Sequence, residues 1–273
     1  EDCGFVYFTR HFRSADGALP PILGSLLMPC GTLSTLTLPA DNGTWGLGIV
    51  ASGHDPALRA LKDRDTWMRV WTSFPLVAHW VDGEPIDGGE VAVMARIPDR
   101  HRSFVVDGEP VATGVLAVGD AWACTNPSLG RGISFGAIHA RALRDVLRRA
   151  PGDDPVALAL QWHDETLATV EPWYRGTLSF DRHRLADIDA GIAGEEYRPD
   201  DPAWEITNAL ADAAPKDPEV FRAFLRVVGV LALPEEVLAR PGVLDKVIEL
   251  GSGWRDAPFL GPSREELLAI VAA

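Results

Sequence analysis

Cysteine is scarce: Cys3, Cys30 and Cys124 are too few and too scattered for a disulfide framework or a zinc knuckle, so a cytoplasmic location is expected. Lysine is equally scarce, with only Lys62, Lys216 and Lys246. A formal charge of -14 and a sequence pI of 4.9 leave no clustered cations for nucleic acid or an anionic membrane surface. Long apolar runs are absent too. The longest uncharged stretch, residues 17–40, is interrupted by Pro20, Pro21, Pro29 and Pro39 and by several Ser and Thr, so no membrane span is expected. The histidines at 11, 54, 79, 101, 139, 163 and 183 form neither H-E-x-x-H nor a close set with Cys or Asp, and no metal is expected. No signal peptide, internal repeat or low-complexity tract is visible.

What is present is apolar mass: 47% of the 273 residues are hydrophobic, enough to bury the core of one large or two small domains. Residues 4–13 predict a strand, with Phe5, Tyr7 and Thr9 on one face and Val6, Phe8 and Arg10 on the other. Extended segments are expected over 23–28 and 32–38, and Asn42-Gly43 closes a hairpin onto 45–51, making an antiparallel sheet of at least three strands. Gly46, Gly48 and Ala51 spell G-x-G-x-x-A inside that last segment. A turn signal precedes them where a buried strand should be, and Trp45, Leu47, Ile49 and Ala51 alternate as a strand face, so a dinucleotide loop is not expected there.

Asp55-Pro56 predicts a helix start running through Leu61, and Trp67, Val70, Trp71 and Phe74 continue a helical stripe whose spacing suits packing. Short strands are expected over 91–97 and 103–106. Beyond residue 150 the signals become helical: Asp154-Pro155, Asp201-Pro202 and Asp217-Pro218 read as caps followed by proline, and Ser263 with Glu266 spells a capping box. The apolar run 221–233 is expected to be buried among these helices. The expected boundary is Pro151 to Asp154.

Between these regions lie residues 111–150. Val115 to Val118 read as a short buried strand that ends at Gly119 and Asp120. A loop then runs to Gly130 and Gly132, and a helix starts near Gly132 with Ile133, Ala137, Ala140, Leu143, Val146 and Leu147 as its apolar stripe. A carboxylate at a strand tip can accept hydrogen bonds from a chain of hydroxyls. The first turn of a helix offers unpaired N–H groups to an anionic or electron-rich edge. Gly130 and Gly132 have no Cβ, so a flat ring could lie against their backbone.

Gly119, Asp120, Ala121, Pro127, Gly130 and Gly132 follow the pattern G-D-A-A, spacer, P-x-x-G-x-G, helix. The stretch thereby resembles the second flavin motif of the FAD-dependent aromatic hydroxylase and geranylgeranyl reductase superfamily. Asn126-Pro127 and Gly132-Ile133 look most like the reductase branch. Trp122-Ala123 and Ser134 depart from the hydroxylase pattern, which has Ala-His and asparagine there.

The resemblance implies FAD as cofactor, with Asp120 on the ribityl or ribose hydroxyls, Pro127 shaping the loop, and the backbone of Gly132, Ile133 and Ser134 facing the pyrimidine edge. It also implies a fold that is α+β in this chain, a fragment of an α/β flavoprotein: residues 1–110 an antiparallel substrate-binding sheet with helices, 111–150 the strand-loop-helix flavin motif, 151–273 a helical C-terminal region. The G-x-G-x-x-G unit that opens such proteins does not precede the motif, so a fragment is expected. The implied activity is oxidation of a small apolar or aromatic substrate, with NAD(P)H as reductant in the monooxygenase version; a prenyl reductase is the alternative within the superfamily.

Two rivals come from other classes. Gly132, Ser134 and Gly136 match G-x-S-x-G, the nucleophile elbow of serine hydrolases, with His163, His183 and downstream acids available. An elbow needs a strand ending at the serine, whereas residues 125–131 carry Asn126, Pro127 and Gly130. Alternatively the chain is a non-enzymatic module of sheet and helices. A faint likeness of residues 45–49 to the tryptophan motif of flavin-dependent halogenases lacks the second tryptophan and the proline.

Overall fold

The computed structural model describes residues 1–149, 153–256 and 260–273; Pro151 and Gly152 of the expected boundary lie outside the described residues. Tertiary contacts group the chain into two units, each discontinuous in sequence. One comprises Asp2–Ile97, Arg182–Arg198 and Pro258–Ala273, the other Glu1, Pro98–Asp181 and Pro199–Ala257.

The first unit is built on an antiparallel sheet of β1 (Phe5–Arg13), β2 (Leu27–Cys30), β3 (Leu33–Pro39), β4 (Thr44–Ser52), β5 (Glu84–Pro85) and β6 (Ala92–Met94). The order is β2-β3-β4-β1-β5, with β6 also pairing to β1. Asn42 and Gly43 both take positive φ, the geometry that a two-residue hairpin demands, and they set β3 against β4. Gly46 and Gly48 sit inside β4, paired on both sides, in no dinucleotide loop.

Alternation along β1 covers both faces of this sheet. Phe8 and Phe12, with Trp45, Leu47 and Ile49 of β4, meet Trp67, Val70 and Trp71 of helix α1 (Arg64–Thr72) and Leu267 of the last helix, α9 (Arg264–Ala272). Phe5, Tyr7 and Val50 on the other face pack with Ile188. The tryptophan stripe is therefore core, and its indoles are paired: Trp67 Nε1 donates to the Phe8 carbonyl at 2.8 Å, and Trp45 and Trp71 likewise find carbonyls. The helix expected from Asp55 to Leu61 forms instead as a 3-10 segment, Ala57–Lys62, after which Asp63 caps α1.

In the second unit two short ladders, β7 (Arg100–His101) with β10 (Ala123–Cys124) and β8 (Val105–Val106) with β9 (Glu109–Pro110), lead to helix α2 (Gly132–Arg149). Then come α3 (Pro155–Thr169) and α4 (Glu171–Ala193), whose residues beyond Asp181 belong to the sheet unit. Helices α5 (Pro202–Ala213), α6 (Pro218–Val228), α7 (Pro234–Leu238) and α8 (Val243–Gly251) share a core of Leu210, Ala213, Val220, Val237 and Val247.

The Asp-Pro signals mark helix starts as expected. Asp154, Asp201 and Asp217 each accept from backbone N–H groups of the first turn, and proline follows where no N–H is needed. Ser263 and Glu266 form the capping box. The run 221–233 departs in part from expectation: Ala223, Val230 and Ala232 are buried, but Phe221, Leu225, Val228 and Leu231 are exposed. A helix buries one stripe, and an apolar run wider than that stripe leaves the rest in solvent. No helix among the described residues is long and apolar enough to cross a membrane.

Candidate functional site

The segment 115–118 corrects a sequence expectation. Val118 has extended backbone angles, yet no residue of the segment pairs in a sheet among the described residues, and Val115 is 57% exposed. Side chains from the helices fix its end instead. Trp162 Nε1 of α3 donates to the Ala117 carbonyl at 3.1 Å, and the Gly119 N–H donates to His139 Nδ1 of α2 at 3.1 Å.

His139 is fully buried, stacked on Trp162 at 4.4 Å and met edge-on by Trp122. Burial pushes its pKa down to about 4, so the ring is neutral at pH 7. Because Nδ1 accepts from Gly119, the proton sits on Nε2 and is donated to Thr166 Oγ1 at 2.9 Å, while the Thr166 hydroxyl donates to the Trp162 carbonyl. A chain of buried partners thus holds the tip that presents Asp120.

At that tip Gly119 has φ +58°, which a side chain would strain, and a Cβ there would lie 3.5 Å from Gly136 Cα of α2. The Asp120 side chain is exposed, and its backbone carbonyl accepts from Arg102 and from the Cys124 thiol. The loop back to α2 is equally tied. The N–H of buried Asn126 donates to Asp99 Oδ1 at 2.8 Å, a 3-10 turn covers Pro127–Leu129, and Gly130 turns the chain at φ +64°.

These elements enclose a cavity of about 180 Å³ whose walls include Gly119, Asp120, Pro127, Gly130 and Gly132, five of the residues singled out from sequence. Trp122, Arg131, Phe135, Tyr174 and Thr177 complete much of it. Ile133 and Ser134 are not on its walls, and Ile133 is 91% exposed. The space in front of Gly130 and Gly132 is open for 4 Å. Together with the free N–H groups of the first turn of α2, this suits the close approach of a flat, electron-rich group. A complete small-molecule site usually offers about 300 Å³ or more, so at about 180 Å³ the cavity is smaller than such a site.

The apolar stripe of α2 also differs from expectation. Its buried residues are His139, Ala142 and Val146, while Ile133, Ala137, Ala140 and Leu147 face solvent. The inward face is rotated because a histidine with both nitrogens bonded occupies a core position. His139, Trp122, Arg131, Tyr174 and Thr177 are not among the site residues that the sequence motif singles out. The only available signal was the clustering of aromatic residues and histidine near the motif.

Ser134 does not sit on an elbow: it lies exposed inside the first turn of α2 and forms no hydrogen bond with a histidine among the described residues. A larger cavity, about 610 Å³, lies in the sheet unit. Its arginines are already engaged, Arg184 with Asp187 at 2.5 Å and with the carbonyls of Gly31 and Leu33, and Arg264 with Asp55 at 2.6 Å. That network is self-satisfied.

No protein-family model and no curated protein sequence matches the chain. Among solved structures it is similar to PqsL of Pseudomonas aeruginosa, described as a probable FAD-dependent monooxygenase, at 17% identity and a TM-score of 0.49 over 70% of this chain and 51% of that one. HpxO of Klebsiella pneumoniae, solved with FAD and uric acid, aligns at 16% identity and a TM-score of 0.47 over 91% and 54% of the two chains. BrvH, a flavin-dependent halogenase from Brevundimonas, aligns at 15% identity and a TM-score of 0.46 over 99% and 54%. The chain spans about half the length of these solved structures.

Proposed function

We propose that this chain carries the second flavin contact of an FAD-dependent oxidoreductase of the monooxygenase type. The observation that carries this is the convergence of Gly119, Asp120, Pro127, Gly130 and Gly132 on one cavity, with open space before both loop glycines. In this role Asp120 accepts hydrogen bonds from ribityl or ribose hydroxyls, and the first-turn N–H groups of Gly132, Ile133 and Ser134 serve the pyrimidine edge. His139 and Trp162 keep the tip in place. FAD bound there would supply the redox chemistry, with NAD(P)H as reductant and a small apolar or aromatic substrate. The protein's share is to bind, orient and exclude water. Residues 1–110 would form the substrate-binding region, 111–150 the flavin contact and 151–273 a helical packing region.

The test is a titration of the purified chain with FAD, followed by flavin fluorescence, for the wild type and Asp120→Ala. Losing a charge-assisted hydrogen bond weakens binding by about tenfold or more. The exposed position of Asp120 leaves thermal stability unchanged. Equal binding by both proteins, or none by the wild type, refutes the proposal. A prenyl reductase would bind FAD in the same way and is separated by substrate, since only a monooxygenase consumes oxygen with hydroxylation.

A further inference from the structure

Helices α6 and α8 carry no part of the candidate flavin contact, yet their outer faces match each other. Helix α6 buries Val220 and Ala223, and two parallel ridges make up its outer side. One ridge is apolar: Phe221, Leu225 and Val228 are exposed at helical spacing, and Leu231, 72% exposed, extends it past the helix end. The other is basic. Arg222 and Arg226, four residues apart, are exposed and form no ion pair among the described residues. The remaining charged residue of the helix, Glu219, is held together with the cap Asp217 by Lys246 of α8, at 2.9 and 3.1 Å. The outer face of α6 is therefore apolar and positive.

Helix α8 repeats the arrangement with the opposite sign. Val243 and Val247 sit in the core shared with α6. Leu244 and Ile248 form an exposed apolar pair, and beside them Asp245 and Glu249 form an exposed acidic pair with no ion pair among the described residues. Lys246, the base of this helix, is committed to the start of α6. On both helices each exposed charge thus follows an exposed apolar side chain, with a spacing of four residues between repeats. Apolar ridges left in solvent and rimmed by charge mark surfaces that meet a partner.

We propose that α6 of one copy of this chain docks on α8 of a second copy, with the apolar ridges in contact and Arg222 and Arg226 facing Asp245 and Glu249. The occupant is a second copy because the chain itself supplies the complement in spacing and in sign. The shorter helix has 9 residues, so the contact is about 14 Å long, which places it among weak, concentration-dependent interfaces. A two-fold axis that makes the contact twice closes a dimer; a single contact leaves one α6 and one α8 free and lets longer assemblies grow. No residue of the flavin proposal takes part, so the two stand or fall separately.

The experiment is sedimentation equilibrium of the whole chain over about 1–200 µM, where the mean mass of the wild type should rise above the 29.5 kDa monomer. Reversing the charges on α6 (Arg222→Glu with Arg226→Glu) or on α8 (Asp245→Lys with Glu249→Lys) sets like charges against each other and should weaken association by about tenfold or more. An equimolar mixture of the two variants should associate about as well as the wild type, because opposite signs meet again while the mixed pair keeps the total charge of two wild-type copies. Circular dichroism melting checks that each variant folds. Should a reversal lower the melting temperature, Leu225→Gln and Ile248→Gln decide, each of which should weaken association without altering charge. A wild type that stays at 29.5 kDa, a loss confined to the α6 reversal, or mixed variants that remain apart while folded overturns the proposal.

Discussion

His139 ties the candidate site to the core, and replacing it with phenylalanine isolates what its nitrogens do. Phenylalanine keeps a ring against Trp162 and nearly the same volume, but leaves the Gly119 N–H without its acceptor. Thr166 loses a donor yet still bonds the Trp162 carbonyl. An unsatisfied backbone N–H costs about 1–3 kcal/mol, so the variant is expected to be about 2 kcal/mol less stable at pH 8. The pH dependence is the sharper test. The folded pKa of His139, pushed by burial to about 4, lies below the unfolded value of 6.5, so the unfolded chain binds the extra proton between them. The contribution of the neutral ring is complete above the unfolded value and declines as pH falls toward the folded one. Between pH 8 and pH 5.5 the wild type should lose about 1.4 kcal/mol from this group, and the variant none of it. Urea denaturation followed by tryptophan fluorescence at half-unit pH steps measures the gap, which should narrow as pH falls. Working above pH 5.5 keeps the chain clear of its pI of 4.9. Parallel stability curves for the two proteins would refute a buried neutral His139 as the anchor of Gly119.

Two further substitutions probe the same loop. Gly119→Ala forces a side chain into φ +58° close to Gly136 and should cost about 1–2 kcal/mol, read as a lower denaturation midpoint; an unchanged midpoint would remove the strained tip from the account. Asp181→Asn should show the opposite pH trend from His139→Phe. The folded pKa of Asp181 is raised to about 7, so its stabilising protonated form is complete at low pH and lost as pH rises through the folded value. The wild type then pays for a buried charge at pH 8 that asparagine avoids, an effect of at most about 4 kcal/mol. The variant's advantage in melting temperature should therefore grow from pH 5.5 to pH 8, and a constant offset would show that Asp181 is already ionised at the lower pH.

Much of the mixed helix and antiparallel-sheet architecture was legible because its signals are local. The alternation of residues 5–13, the Asn42-Gly43 turn and the Asp-Pro caps each follow from backbone chemistry within a few residues, and each appears where expected. The same locality misled where partners decide. Residues 115–118 have a strand's composition but no neighbouring strand among the described residues, and their carboxyl end is held by an indole and an imidazole from helices instead. Two discontinuous units are likewise invisible to a composition boundary, since α4 contributes Thr177 and Asp181 to one and Arg184 and Ile188 to the other.

The candidate site divides along the same line. Glycines, a proline and an acid at fixed spacing describe backbone geometry, and five of those residues share a cavity wall. Ile133 was named for its N–H, and its exposed side chain does not bear on that role; Ser134 as a nucleophile needed a hydrogen bond to a histidine, and it has none among the described residues. Arg131, His139 and Asp181 escape such a pattern because their roles depend on burial and on partners tens of residues away. Arg131 shows this most clearly, since its position inside P-x-x-G-x-G is backbone logic while its side chain belongs to α4. If the turn's backbone alone made the site, Arg131→Gln would leave FAD affinity untouched. If the α4 anchorage matters as well, the same substitution should weaken binding without lowering the melting temperature, because Arg131 lies half-buried beside a cavity.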